Sequence, residues 1–460
     1  MPRLFGTDGI RGKAGDFPLD PTTVRRIGRS LARHLRTGSG GRRPLIVAGR
    51  DTRESGEWIE RALLLGAADE GARSESAGVI TTPGVAFLTR LQRADAGVVI
   101  SASHNPYEDN SIKIFEPSGR KLSDAVERLI ELDVQDAEKA HSESQAVPTP
   151  PAAGDFLTDQ HASGLREEYR RYLLAEIARD LSLDGLSLVV DCANGASSAI
   201  APGLFQTLGA EVFTINNSPD GKNINKDCGS LHLDGLRRRV LQKQADLGVA
   251  FDGDADRALF VDSAGNFVDG DATLWILARY LQTNARLHDN LVVATVMSNI
   301  GLEIALSAVG INLLRTDVGD KYVLEELIRT GASIGGEQSG HIIFPGLSLA
   351  GDGITTTLCL LRALRDSGKT VAELTEGFRR YPQILVNVKV VEKPAFEDLP
   401  EVARLAHETR VRLGDKGRLL LRYSGTESLA RVMIEGENQS EINSYAQTLA
   451  QAIEAEIGAH

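Results

Sequence analysis

Cysteine is almost missing from this 460-residue chain: Cys192, Cys228 and Cys359 are the whole supply. No CxxC pair occurs and the number is odd, which argues against a disulfide framework and a zinc site. The N-terminus, MPRLFGTDGI, lacks the apolar stretch of about 7–15 residues that a signal peptide needs. No apolar run approaches the roughly 18–20 residues required to cross a bilayer. These absences predict a soluble protein of the reducing cytoplasm with no membrane partner. Positive charge is in deficit too: the formal net charge of −12 argues against a general nucleic-acid binder, which needs a basic face. Local basic clusters can still hold a small anion. No usable Walker A loop is present, and nothing near Ser101 or Ser103 looks like a GxSxG nucleophile turn.

What is present is an ordinary globular composition, 42% hydrophobic and 25% charged, with 46 glycines. The length sets a prior of about three domains and a core that folds without staples. Three regions repeat one alternation of short apolar strands with amphipathic helices. RPLIVAGRDTR (43–53) reads as strand and polar loop, SGEWIERALLLGAADEGA (55–72) as helix, and AGVVISASHNP (96–106) as strand and loop. Residues 186–216 read strand, glycine turn, helix, strand, and DLGVAFDGDADRALFVD (246–262) gives two strands flanking an acidic loop. Residues 290–328 repeat β-α-β-α. This alternation predicts three similar mixed α/β domains with largely parallel sheets. HSESQAVPTPPAAGD (141–155), with three prolines, reads as a linker. Past about residue 380 the pattern changes to a long alternating strand (384–393), two more strands in 418–437 and a closing helix (441–460). That is a smaller C-terminal α+β domain. The expected division is 1–150, 155–256, 257–372 and 380–460.

Ligands in open α/β sheets lie outside the carboxyl ends of strands, so the polar loops there are the places to look. Asp252-Gly-Asp-Ala-Asp-Arg257 carries three carboxylates at alternate positions, too widely spread along a straight strand to share one ion. Gly253 and Ala255 let the loop curl so that Asp252, Asp254 and Asp256 can converge on a hard cation such as magnesium. An EF-hand fails, because Arg257 and Ser263 stand where Gly and Glu are required. A DxDx[TV] phosphatase loop fits badly, and a solvated acidic turn remains the bland alternative.

Gly335-Gly-Glu-Gln-Ser-Gly-His341 places Glu337, Ser339 and His341 at alternate positions, suited to the hydroxyls of a sugar or simply to a turn. Arg422-Tyr-Ser-Gly-Thr-Glu427, followed by Arg431, is either a turn or an anion cradle of guanidinium, hydroxyl and glycine N–H groups. VISASHNPY (99–107), with Lys113 beyond it, offers Ser101 and Ser103. With no hydrolase ordering of partners, Ser103 reads better as a phosphoryl carrier than as a hydrolytic nucleophile. Ser101 is expected to support the backbone. His104 is expected to point away from Ser103, its chain neighbour.

The four loops, in this order over essentially the full chain, resemble the α-D-phosphohexomutase superfamily. Within it, FGTDGIRG (5–12), the Gln of GGEQSGH, TDVGDKYV (316–323) and AGDGI (350–354) resemble the branch acting on glucosamine phosphates. The resemblance implies four domains around a central cleft and an intramolecular phosphotransferase that interconverts glucosamine 6-phosphate and glucosamine 1-phosphate, a step toward UDP-N-acetylglucosamine and cell-wall precursors. It implies one Mg²⁺ per subunit on Asp252, Asp254, Asp256 and the Ser103 oxygen, phosphorylation at Ser103, and a sugar 1,6-bisphosphate as intermediate and activator. Arg11 and Arg257 are then expected at the phosphoryl group. Lys113 is the candidate base, its pKa lowered by surrounding cations, with His104 assisting. Glu337, Ser339, His341 and Lys321 are expected on the substrate, and Arg422, Ser424, Gly425, Thr426 and Arg431 on its nonreacting phosphate. The fourth domain is expected to hinge near residues 370–382. A phosphosugar is the expected partner, with no nucleic acid; a homodimer is the expected assembly, though no residue here encodes it.

Three positions depart from the family pattern. Ser111 stands where Gly is usual, Ser428 where Pro is usual, and Lys321 where Arg is usual. Ser111 is expected to alter a turn, since serine tolerates positive φ less well. Lys321 keeps the charge but loses the bidentate fork. A phosphomannomutase or phosphoglucomutase shares every loop and is the nearest rival. A phosphosugar sensor and a sugar phosphatase are the others.

Overall fold

The computed structural model describes residues 4–6, 8–38, 42–141, 159–424 and 427–459. The chain forms two compact units, one of residues 1–296 and 314–375, the other of residues 297–313 and 376–460. No helix among the described residues is long and apolar enough to cross a membrane.

Three sheets lie in the larger unit. The first has six strands in the order Phe5–Gly6, Gly9–Lys13, Asp109–Phe115, Ala96–Ile100, Leu45–Arg50, Arg73–Val79. Leu45–Arg50 runs parallel to both neighbours, and the strands toward the N-terminal hairpin pair antiparallel. AGVVI (96–100) is buried at every position, as a central strand covered on both faces requires. The second sheet has the order Phe267–Val268, Ala258–Asp262, Leu247–Phe251, Ser187–Asp191, Glu211–Ile215, parallel around Ser187–Asp191 and antiparallel beyond Leu247–Phe251. In the third, Leu291–Thr295 runs parallel to Gly335–Gly336, which pairs antiparallel with Ile342–Ile343; Asn312–Thr316, in which the chain re-enters the larger unit at Leu314, is at the other edge. The α/β alternation read from the sequence is therefore present three times, with parallel pairing at each centre.

The smaller unit carries an antiparallel sheet, Gln383–Lys389, Leu429–Glu435, Arg418–Tyr423, with helices Pro400–Leu413 and Gln439–Ile457 packed on it around Val402, Val432, Ile434, Leu449 and Ile453.

Three expected boundaries move. A division after Asp256 would cut the hairpin in which Ala258–Asp262 pairs with Leu247–Phe251; the second sheet runs on to Val268. Helix Asp159–Tyr172, assigned by sequence to the second domain, packs on the first sheet: Arg166 donates to Ala77 O at 2.8 Å, and Tyr172 stacks on Phe87 at 4.4 Å. The segment with helix Ile300–Ala308 joins the C-terminal unit through Glu435. The Glu435 carboxylate is fully buried and accepts from Asn299 Nδ2 (3.2 Å), Ile300 N (3.2 Å) and Arg418 Nε (2.9 Å). Asn299 Nδ2 also donates to Tyr381 O (3.0 Å) and Asn299 Oδ1 accepts from Tyr381 N (2.9 Å); sequence periodicity could not assign that helix, because these partners lie about eighty or more residues away. Residues 142–155 of the expected linker lie outside the described residues.

Candidate active site

The buried strand Ala96–Ile100 delivers Ser101–Asn105 to the carboxyl edge of the first sheet. Ser101 supports the backbone: its hydroxyl donates to Asp51 Oδ2 (2.7 Å) and accepts from Ser103 N (3.0 Å). Ser103 has a left-handed backbone, φ 53°, which costs a residue with a Cβ. Its carbonyl is clamped by Arg53 Nη2 (3.0 Å) and Asn225 Nδ2 (2.9 Å), so the surroundings hold the strained turn. The turn aims the Ser103 hydroxyl at Asp252 Oδ2, 2.5 Å away.

That same φ overturns one expectation. His104 Nδ1 lies 3.3 Å from Ser103 Oγ and 3.0 Å from Arg257 Nη1 rather than pointing away. Facing a guanidinium donor, Nδ1 can only accept. Burial, then Arg257 and Arg11, push His104 down to about 4, so it is neutral near pH 7. Arg11 reaches Asn105 Oδ1 (3.4 Å) and Asp8 Oδ2 (3.0 Å), beside the same loop.

The acidic loop closes the hairpin between Leu247–Phe251 and Ala258–Asp262, curled by a left-handed Ala255 (φ 56°). Asp252, Asp254 and Asp256 are all buried, and one oxygen of each lies within 4.8 Å of the others. Thr82 Oγ1 (2.5 Å) and Lys113 Nζ (2.9 Å) both donate to Asp254 Oδ2. Oδ1 of Asp254 and Oδ1 of Asp256 are buried without a hydrogen-bond partner. Burial, then Asp256 and Asp254, push Asp252 well above the usual carboxylate range. Crowded carboxylates with unpartnered oxygens are what a divalent cation relieves, and an all-oxygen donor set suits magnesium. The residues fit the ion.

Lys113 corrects a second expectation. It is buried among carboxylates, not cations: Asp254 at 2.9 Å, Asp8 at 3.2 Å and Asp256 at 3.8 Å. Burial alone would lower its pKa, but these three acids hold it well above the ordinary value. Lys113 is an ammonium here, not a ready base. Ser111 corrects a third. It lies in the strand Asp109–Phe115, opposite Arg11, with no positive φ, and its hydroxyl donates to Asp8 O at 3.2 Å.

In the sugar-loop candidate, Glu337 Oε1 accepts from Gly319 N (3.2 Å), and burial, then Asp320, raise the Glu337 pKa, against His341 and Arg257. His341 Nδ1 is 3.5 Å from Asp256 Oδ2; burial would lower this ring, but Asp256, then Asp320 and Glu337, hold it at about 9. Ser339 Oγ is buried and unpartnered. Lys321 is engaged by Asp124, 2.5 Å away.

In the smaller unit, Arg422 and Arg431 pair directly across two antiparallel strands, which sets both guanidinium stems on one face. Arg431 Nη2 reaches Glu427 Oε2 (3.0 Å), and the Ser424 hydroxyl accepts from Glu427 N (3.2 Å). Gly425 and Thr426 lie outside the described residues. Ser428 is exposed, and its carbonyl accepts from Val390 N (3.0 Å).

Sequence reasoning missed the residues that hold these groups. Asp51 and Arg53 form a fully buried ion pair (2.9 Å) beneath the Ser103 loop; their place in the polar loop after a strand was the available signal. Asp8 gathers Lys113, Arg11 and Lys121, and Lys121 also reaches Asp320 at 2.8 Å. Nothing in spacing marks Lys121 or Asp320.

Fold and site together define an enzyme that transfers a phosphoryl group beside a divalent metal. Four family profiles, described as phosphoglucomutase/phosphomannomutase α/β/α domains I, II and III and C-terminal domain, match residues 2–141, 167–265, 269–381 and 385–452. The chain belongs to the phosphoglucomutase/phosphomannomutase family of phosphohexomutases, and is an isomerase of that family. A protein named phosphoglucosamine mutase from Solibacter usitatus is 48% identical over 455 residues, covering 99% of each chain. One of the same name from Koribacter versatilis is 47% identical over 463 residues, covering 99% of this chain and 97% of its own. A crystal structure of a phosphoglucomutase/phosphomannomutase family protein from Burkholderia thailandensis has a TM-score of 0.78 at 22% identity, covering 99% of both chains.

Proposed function

We infer that this chain interconverts glucosamine 6-phosphate and glucosamine 1-phosphate, as a phosphoglucosamine mutase, through a phosphorylated Ser103 and a glucosamine 1,6-bisphosphate. The observation that carries the phosphoryl-transfer reading is the Ser103 hydroxyl on its left-handed turn, 2.5 Å from Asp252 in the buried acidic triplet. The names of the relatives carry the amino-sugar assignment.

In the first half-reaction the bond from Ser103 Oγ to phosphorus breaks and a bond from phosphorus to the sugar hydroxyl forms. The lone pair on His104 Nδ1, the only one the neutral ring has, takes the sugar hydroxyl's proton and passes it to Ser103 Oγ, which then donates to Asp252. The second half-reaction reverses this at the other end of the bisphosphate. Asp252, Asp254 and Asp256 would hold a magnesium ion, which would supply positive charge at the Ser103 oxygen. Arg257 and Arg11 flank the transferring group, and Lys113 keeps an ammonium beside Asp254. Glu337, Ser339 and His341 hold sugar hydroxyls. Arg422, Arg431 and Ser424, with Gly425 and Thr426, hold the other phosphate. Arg422, with its five donors in a fixed fork, suits that task.

The test is kcat/KM on glucosamine, glucose and mannose phosphates, with and without a chelator, together with intact-mass detection of phosphate on Ser103. Glucosamine is expected to rank first, chelation to abolish turnover and magnesium to restore it. A first rank for mannose or glucose overturns the amino-sugar assignment. Stoichiometric release of free phosphate overturns the mutase reading.

A further inference from the structure

Lys113 is held by three carboxylates, and two of them, Asp254 and Asp256, belong to the loop that fits a cation. A carboxylate committed to a divalent ion has less charge left for a lysine. Asp8 is the Lys113 partner that stands outside that loop. Asp8 sits in the turn between Phe5–Gly6 and Gly9–Lys13, where Arg11 of the same hairpin donates to its Oδ2 (3.0 Å).

Two contacts from other elements add to this, one on its backbone and one on its other carboxylate oxygen. Ser111 Oγ donates to the Asp8 carbonyl (3.2 Å), and Lys121 Nζ donates to Asp8 Oδ1 (2.7 Å). Lys121 also donates to Asp320 Oδ1 (2.8 Å), at the start of helix Asp320–Thr330. Next to this pair, Lys321 of the same helix reaches back to Asp124 (2.5 Å). Lysine from the first domain meets aspartate from the third, and aspartate from the first meets lysine from the third. These crossed ion pairs line a cavity of about 340 Å³ that Lys113, Asp8 and His341 also line.

We propose that Lys121, anchored by Asp320, is a positioning residue: it orients the Asp8 carboxylate, whose other oxygen sets the Lys113 ammonium and the Arg11 guanidinium at the Ser103 loop. Lys121 acts through Asp8 and touches no reacting atom. Asp8 Oδ1 goes to Lys121, and Oδ2 is left for Arg11 (3.0 Å) and Lys113 (3.2 Å). Without Lys121 the Asp8 side chain keeps only the two cations it has to place, so its Oδ2 shifts with them and both lose their registration.

The proposal rests on the mutase reading for the roles of Lys113 and Arg11, and its test is kept separate from the choice of sugar. Steady-state kinetics of Lys121→Met, Lys121→Arg and Asp320→Asn are measured on whichever hexose phosphate the wild type turns over best, with melting temperature alongside. Lys121→Met is expected to lose about 10- to 100-fold in kcat, the scale of a misplaced catalytic group, with KM within about 3-fold. Lys121→Arg, which keeps a donor to both acids, is expected to recover most of the loss. Asp320→Asn, which leaves the Lys121–Asp8 contact in place, is expected to show a smaller fall of the same kind and serves if Lys121→Met does not fold. A kcat within about 3-fold of wild type in Lys121→Met, or a loss that Lys121→Arg does not recover, overturns the proposal. A wild type inactive on glucosamine phosphates but active on another hexose phosphate overturns the amino-sugar reading and leaves this test intact.

Discussion

Ser103 shows how much a single backbone angle decides. With φ at 53° its hydroxyl meets Asp252 and its neighbour His104 folds back toward Oγ; an extended Ser103 would do neither. Ser103→Ala is expected to lower kcat by about a thousandfold or more and to leave the protein without phosphate by intact mass after incubation with a sugar bisphosphate. His104→Gln removes the neutral base and is expected to cost about 10² to 10⁴ in kcat with phosphate still detectable on Ser103. The cysteines tell the opposite story. Burial pushes Cys192, Cys228 and Cys359 each up to about 12, so almost no thiolate exists at pH 8. None is expected to react quickly with a disulfide reagent in the native protein, and all three should titrate in denaturant. A fast native thiol would refute that burial argument.

Elements are held in place by a few contacts that periodicity does not encode. The N-terminal hairpin packs on strand Asp109–Phe115 so closely that a Cβ on Gly9 would lie 2.4 Å from Ile112 O, at a φ of 88°. Gly9→Ala is expected to cost about 1–3 kcal/mol and to lower kcat as well, since the hairpin carries Asp8 and Arg11; thermal melts and kinetics check both. Strands, helices and the four loops were legible because apolar runs of four to six residues end at polar turns. The assignment of helix Ile300–Ala308 was not legible, because its start is tied to Tyr381 and Glu435, far along the chain. The environment of Lys113 was misread for a similar reason. Its neighbours in sequence are apolar, and the acids around it arrive from a hairpin and from a loop more than a hundred residues away.

At the scale of the molecule, two compact units connected at three points in the chain need not unfold together. Calorimetry is expected to resolve two transitions. Glu435→Ala removes the buried acceptor of Arg418 Nε, Asn299 Nδ2 and Ile300 N, and should cost the smaller unit about 3–5 kcal/mol. It should shift only one transition, and hydrogen exchange in residues 300–308 should rise with that in the C-terminal sheet. A single transition that moves as a whole would contradict the division.

Composition and local pattern by themselves determined the α/β class, the smaller C-terminal sheet, and which loops carry chemistry. These are properties of residue order: apolar periodicity sets elements, and clustered carboxylates, hydroxyls and guanidinium groups set chemical capability. Tertiary structure alone decided which groups meet and in what charge state. Lys113 became an ammonium because three acids from two segments surround it, and His104 became neutral because it is buried beside Arg257 and Arg11. Ser111, conspicuous in sequence as a departure, turned out to be a strand residue supporting Asp8. Electrostatic energies depend on distance and burial in space, and neither is written in the spacing of residues along a chain.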